Sequence, residues 1–432
     1  MLRVRVALES GCTNVVLASA PPQFIRMQLG LPLVLLMASA WPRVTRPADV
    51  GTSDDAYSIL ARVETDASVL AVVRRVVHRK HVLFLVHDDA IIGAQFDHAW
   101  LRHVTAFPGF AIMQCAAYLA RTPTRAAQIG LGIGTVPTFL REHDIPTDVI
   151  EISEAVVTLA ETYFQYDACR VLEDDDDDPV CEQGKTFVMD GLAFLSRSPE
   201  TLRLQTHASS RPYDLFLVDV YTGSNPLLFF VRERLERIRD TWLTRDGVVV
   251  LNVVGFIHGP RAAVPRSVYR TLQTVFRHVQ CFREVEDAEH PLAANIILFA
   301  SNEPFHFDLP TSDRYENPIK GSIYDVVKNF PSWEVTNARS GRDPACLLLS
   351  LMCIFTDLQD PIEIALDQRD VEDKPEIQFD TQDAPGVMVL TEAEHGQEAF
   401  DEIHAYLHDH MRQRKADYLP PAFWDEMQRR GS

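Results

Sequence analysis

The chain reads as an α/β protein: a mostly parallel sheet covered by helices on both faces, preceded by a small β-rich unit. Three observations predict this. Between about Thr124 and Ser301, short apolar runs alternate with amphipathic stretches, the pattern of strand–helix crossovers. Runs such as Leu215-Phe216-Leu217-Val218 are apolar throughout, as strands buried on both faces are. Glycines or acids stand just after run upon run, at the strand ends where open α/β sheets bind ligands.

Taken in order, Ala126–Leu131 is the first strand of this region and ends in Gly130-Leu131-Gly132-Ile133-Gly134-Thr135. A helix follows through Arg141, then a strand from Asp148 to Ile152 that closes on Glu151. Ala155–Phe164 carries apolar residues at helical spacing. The acidic run Glu173–Asp178 reads as a solvated loop insertion. Thr186–Met189 is a third strand, closed by Asp190-Gly191, and Tyr213–Val220 a fourth, ending at Asp219. Phe229–Trp242 reads as a helix, Arg245-Asp246-Gly247 as a turn, Val248–Val254 as a fifth strand and Arg266–Phe276 as a further helix. Strands around Val279–Val285 and Asn295–Ala300 complete the set.

Composition bounds what such a protein does. Of 432 residues, 46% are apolar and 24% charged, which excludes wholesale disorder, a collagen-like repeat and a polytopic membrane protein. Asp+Glu number 61 against 41 Lys+Arg, a net charge of −20. That surface repels phosphate backbones and argues against general nucleic-acid binding. Seven scattered cysteines with no C-x-x-C pair predict an intracellular protein with neither a disulfide framework nor a cysteine zinc site.

The two ends differ from the middle. Residues 1–50 form an N-terminal extension, rich in arginine and nearly free of acids over 1–46, with an uncharged run from Met27 to Trp41. The run is shorter than the ~20 residues that span a bilayer. The composition permits organellar targeting or an anchor as well as a loosely ordered extension; otherwise the cytoplasm is the expected compartment. Residues 51–110 read as the small β-domain, 111–305 as the nucleoside-binding domain and 306–432 as an acidic extension. Residues 361–432 hold about half of the net negative charge. Within them, Glu376–Phe379 and Val387–Leu390 are strand-like, and a helix is expected from Glu394 to about Tyr418. His404 and His408 lie four apart on it, a spacing that can share a metal, but without a third ligand a solvated helix face is the better reading.

The acids and glycines at successive strand ends make a candidate nucleoside site. Glycines let a backbone approach a ligand closely. The dinucleotide fingerprint G-x-G-x-x-G is broken by Pro137, which disfavours NAD chemistry. Gly130, Gly132, Gly134 and Gly191 are candidate cofactor-binding positions. Glu151 is placed to accept hydrogen bonds from ribose hydroxyls, and Asp190 suits an adenine amino group.

These motifs carry a resemblance. IGLGIGT, VIEIS, the Tyr163-Phe164 pair, MDG, RPYDLFLVDVYTG and DGVVVLNVVG resemble the spermidine/spermine synthase family, and within it the fungal-type synthase-like branch. It covers roughly residues 55 to 305, including Tyr57-Ser58-Ile59 and Asp89-Ala90-Ile91-Ile92-Gly93 of the small β-domain. The resemblance implies the Rossmann-like class I methyltransferase fold with a seven-stranded sheet. It also implies a catalytic Asp219 that deprotonates and orients an attacking amine. The implied donor is decarboxylated S-adenosylmethionine or S-adenosylmethionine, with a small-molecule amine or polyamine as partner and no metal. Three departures separate the chain from aminopropyltransferases. Ile133 replaces the aspartate that holds the aminopropyl ammonium, Thr222 a second aspartate, and Phe110–Gln114 the usual Tyr-His-Glu stretch. Aminopropyl transfer to a polyamine leads; methyl transfer to an amine or protein, and a non-catalytic nucleoside-binding scaffold, are the alternatives. Membrane contact by the N-terminal run and a homodimer stay open.

Overall fold

In the computed structural model the described residues are 56–429, without 66–67, 78–79, 98–104, 172–180, 203–211, 222, 285–292 and 310–385. The N-terminal extension, the acidic run 173–178, Thr222 and the strand-like run 376–379 lie outside them.

Two sheets organise the fold. The larger has eight strands: β5 (Ala126–Ile129), β6 (Thr147–Glu151), β7 (Arg170–Val171), β8 (Thr186–Val188), β9 (Tyr213–Val218), β10 (Leu243–Gly255), β11 (His278–Arg283) and β12 (Ala294–Ser301). Their order is β11-β12-β10-β9-β5-β6-β8-β7. All neighbouring pairs from β10 to β7 are parallel, and β12 runs antiparallel between β10 and β11. Without the two-residue edge strand β7 this is the seven-stranded sheet of the Rossmann-like class I methyltransferase fold. Helix α1 (Pro108–Gln114) precedes β5. Alternation along β9 shows the burial of both faces. Leu215 and Leu217 join one core with Phe139 and Leu140 of helix α2 (Thr135–Glu142), while Phe216 and Val218 join the other with Trp242 and Leu272. A buried anion ties the strand starts together: Asp148 accepts from Arg125 at 2.8 Å, the Tyr213 hydroxyl at 2.9 Å and the Lys185 N–H at 2.7 Å. Its charge is matched and bonded, as a fully buried carboxylate requires.

The smaller sheet is an antiparallel meander, β1 (Tyr57–Glu64), β2 (Val69–Val77), β3 (Lys80–His87) and β4 (Ala90–Phe96). One face, with Val72, Leu83 and Leu85, packs on Leu131, Ile133 and helix α3 (Glu154–Phe164). The other, with Val73, Val82 and Phe84, is covered by Leu419, Phe423, Trp424 and Met427. The segment expected as an acidic extension therefore supplies a core face. Its helices, Gln397–Tyr418 and Pro421–Gln428, are fastened at the far end by Arg62, whose guanidinium donates to the carbonyls of Glu426, Met427 and Arg429.

Several local expectations change. Arg245-Asp246-Gly247 does not end an element. It lies within β10, where the register against β9 shifts between Leu243 and Val248, so the turn chemistry appears as a bulge. The helix expected from Phe229 begins only at Arg232, after a 3₁₀ turn at Leu227–Phe229, and widens into a π-turn over Ile238–Trp242. Val387–Leu390 joins no sheet; the N–H groups of Met388 and Leu390 donate to Ser267 Oγ and Thr271 Oγ1 instead. His404 is buried beside Phe400 rather than solvated. Among the described residues no group of three His, Cys, Asp or Glu could hold a metal, and no helix is long and apolar enough to cross a membrane.

The expectation of a protein without disulfides is also corrected. Cys169 and Cys181 are bridged, a pairing that spacing alone could not reveal because it depends on how β7 returns beside β8. Cross-linking twelve residues apart restricts the unfolded chain. Replacing both cysteines by serine is expected to lower unfolding free energy by about 2–3 kcal/mol, measured by urea denaturation of oxidised protein.

Candidate functional site

A cavity of about 400 Å³ opens at the carboxyl ends of β5, β6 and β9, under the β3–β4 hairpin. Its floor is the glycine loop. At Gly130 φ is +88°, and a Cβ would overlap the carbonyl oxygen of Asp219. At Gly132 φ is +57°, and a Cβ would stand 2.8 Å from the Ile92 carbonyl oxygen. Both positions need a left-handed backbone and a bare Cα, and both line the cavity.

Glu151 ends β6, and each of its oxygens takes a backbone N–H: Leu131 at 3.0 Å and Ser153 at 2.8 Å. Burial pushes this carboxyl up; the Ser153 and Leu131 N–H groups oppose that, and the Asp219 charge adds to it. The side chain, only 8% exposed, fixes the glycine loop while facing the cavity. Beside it Ile152 is 69% exposed, an apolar side chain left open in a ligand-sized hollow. Asp190 caps the helix Gly191–Ser196, its Oδ1 accepting from Ala193 N–H at 2.7 Å. It and Gly191 also line the cavity.

Asp219 follows β9 and stands half-buried in the cavity wall. Its Oδ1 accepts from Asn252 Nδ2 at 2.9 Å. Burial raises its carboxyl to about 6, with the Asn252 bond acting in the opposite direction.

Not all expected residues meet here. Gly134 does not line the cavity. Its φ of +81° starts helix α2 hard against the Tyr166 ring, a packing role. Ile133 is buried in the core between the sheets, against Gly93, and is likewise absent from the lining.

Other lining residues escaped sequence reading. Asn252 sits inside an apolar strand run and is 3% exposed. Glu284 accepts from the N–H groups of Gly109 and Asn295 and from Asn295 Nδ2, all at 2.9–3.0 Å. His408, Met411, Lys415 and Tyr418 come from the C-terminal helix. The i, i+4 spacing at His408 drew attention, but to a metal rather than to a cavity wall.

No protein-family model matches the chain. Over 300 residues it is 24% identical to a protein of Emericella nidulans named N-terminal histidine N-methyltransferase, covering 64% of this chain and 48% of that protein. Over 175 residues it is 25% identical to the Bos taurus eEF1A lysine and N-terminal methyltransferase, covering 38% of this chain and 22% of that one. The chain thus spans about half the length, or less, of these curated relatives. Among solved structures it is similar to a probable spermidine synthase from Corynebacterium glutamicum, with a TM-score of 0.44 and 18% identity over 58% of this chain and 83% of that one.

The clash at Gly130 makes a direct test. Gly130→Ala combines a positive φ with overlap on backbone, and is expected to cost at least about 2 kcal/mol of stability, read by chemical denaturation. Gly191→Ala, at ordinary φ, meets only side chains and should cost less.

Proposed function

We propose that this chain binds S-adenosylmethionine and methylates an amine nitrogen of a polypeptide. The observation that carries the reading is Asp219. It is a carboxylate whose pKa burial raises to about 6, held by Asn252 in the same cavity as the glycine loop and Glu151.

The cavity residues fit such a donor. Gly130 and Gly132 leave room for close approach, Glu151 offers its remaining lone pairs to ribose hydroxyls, and Ile152 presents apolar surface to a base. When bound, S-adenosylmethionine supplies a methyl group on a sulfonium, which only a neutral amine lone pair can attack. Asp219 takes the proton that the amine must lose and orients the nitrogen. Above about pH 6 it is ionised and able to do so. The names of the relatives support a polypeptide amine, and an N-terminal one in particular.

A second reading is aminopropyl transfer from decarboxylated S-adenosylmethionine to a polyamine, on the spermidine-synthase pattern. The acids of the lining, Asp89, Glu151, Asp190, Asp219 and Glu284, favour it. The packing of Ile133 counts against it, because the cavity lacks the acid that this position supplies to the aminopropyl ammonium.

Incubating the purified chain with either donor and with peptides bearing free or blocked N-termini, or with polyamines, decides among these. Mass spectrometry should find methyl groups on free peptide amines. An aminopropyl adduct would favour the second reading, and binding without transfer to any amine a non-catalytic scaffold.

Three further outcomes are expected. Asp219→Asn should retain donor binding and lower turnover by about 10²–10⁴-fold, in single-turnover assays. The wild-type kcat/KM should fall as pH drops below about 6, because protonated Asp219 cannot accept a proton. Asn252→Ala removes the bond that favours the ionised form, so it should move that acid limb to higher pH. An unchanged limb in Asn252→Ala would assign the titration to another group.

Glu151→Ala should weaken nucleoside binding by about 1–3 kcal/mol, measured calorimetrically with methylthioadenosine.

A further inference from the structure

The cavity lining is strongly acidic, yet it contains a lysine in an unusual setting. Lys415 is 6% exposed, and lysines are almost never so buried unless paired. Its ammonium donates to Asp89 Oδ1 at 2.6 Å and to the Asp89 carbonyl oxygen at 3.1 Å, and stands 4.0 Å from the Trp424 ring centre. Trp424 is itself fixed, its indole N–H donating to the Leu419 carbonyl at 3.0 Å. Lys415 and Asp89 both line the cavity. Among the described lining residues Lys415 is the single lysine or arginine; His87 and His408 are the other basic side chains.

The position of the pair connects it to the donor site. Asp89 stands at the tip of the β3–β4 hairpin, three residues before Ile92, whose carbonyl oxygen abuts Gly132. The hairpin tip thus lies beside the glycine loop, in the same cavity as Glu151 and Asp219. A donor held with its ribose at Glu151 and its sulfur at Asp219 would have its amino-acid chain left to contact the remaining charged side chains of this lining.

We propose that the Lys415–Asp89 pair reads the amino-acid end of the donor, Lys415 taking its α-carboxylate and Asp89 its α-ammonium. This rests on the S-adenosylmethionine reading given above and sharpens it. A zwitterion is matched by a fixed pair of opposite charges, in a wall where low dielectric strengthens both contacts. The decarboxylated donor has an ammonium but no carboxylate, so it gains no contact with Lys415 and sets a second cation near it. The pair selects the methyl donor over the aminopropyl donor, at a site far in sequence from the glycine-loop position where aminopropyltransferases make the opposite choice.

The competing account is mechanical: the pair only latches the C-terminal helix to the hairpin. Calorimetric titration of the full chain with S-adenosylmethionine and with its decarboxylated form separates the two. Wild type is expected to prefer S-adenosylmethionine by about 10–100-fold, the range for a charge-assisted hydrogen bond. In Lys415→Met the preference should shrink to about threefold or less through loss of S-adenosylmethionine affinity alone, and Lys415→Arg should keep most of it. The double variant Lys415→Met/Asp89→Asn leaves no orphaned charge and should lose the preference as well, so a misfolded single variant does not end the test. Equal weakening of both donors in the folded variants, or a wild type without preference, overturns the proposal in favour of a latch. A wild type that binds neither donor overturns the nucleoside reading itself.

Discussion

The close approach of β5 and β9 governs the site. Because Gly130 has no Cβ, the backbone leaving β5 passes directly against the Asp219 carbonyl, while its N–H stays bonded to Ile150 at 2.8 Å. A loop drawn that tightly between two strand ends exposes backbone N–H groups, and Glu151 takes the one at Leu131. The same crowding puts Asp219 within electrostatic reach of Glu151. A buried and a half-buried acid repel each other at such a place. The arrangement survives because Glu151 is compensated by backbone N–H groups and Asp219 by the Asn252 amide; what is left of the penalty, mainly that of burial, holds both carboxyls above the usual carboxylate range.

Around this centre the molecule is layered. The large sheet presents its strand ends, the small sheet forms a roof, and the C-terminal helices close the roof's outer face. Charge balance follows the layers. Asp148 is matched at the strand starts by the Arg125 cation, whereas at the strand ends Glu151, Asp190 and Asp219 accept from neutral N–H donors and only Asp89 has a described cation, Lys415. The cavity is thereby predisposed toward cationic partners: a sulfonium, an amine, or both.

Much of this was legible in the sequence because the signals are local. Strands buried on both faces spell unbroken apolar runs, and their ends are marked by glycines and acids, so β5, β6, β8 and β9 and the residues Gly130, Gly132, Glu151, Asp190, Gly191 and Asp219 could be placed together. What was not legible depends on direction or distance. Gly134 and Ile133 sit in the same motif as Gly130, but the chain there turns into the following helix, and Ile133 packs in the core between the sheets and Gly134 against the Tyr166 ring. Asn252 hides in an apolar strand because one polar side chain at a strand's carboxyl end barely disturbs the pattern. Lys415 and Asp89 are 326 residues apart, and neither spacing nor periodicity links them. Cys169 and Cys181 pair only once β7 is laid beside β8.

The bond from Tyr57 to Glu426 spans 369 positions, and the apolar face bearing Val73, Val82 and Phe84 is covered only by residues 419–427. On a ribosome adding about 5–20 residues per second, roughly 20–70 s separate the synthesis of that meander from the arrival of its cover. For that interval a four-stranded sheet with one greasy side and unpaired edges is complete but naked. Docking of residues 419–427 onto that face is therefore among the last steps by which the small sheet can complete its core.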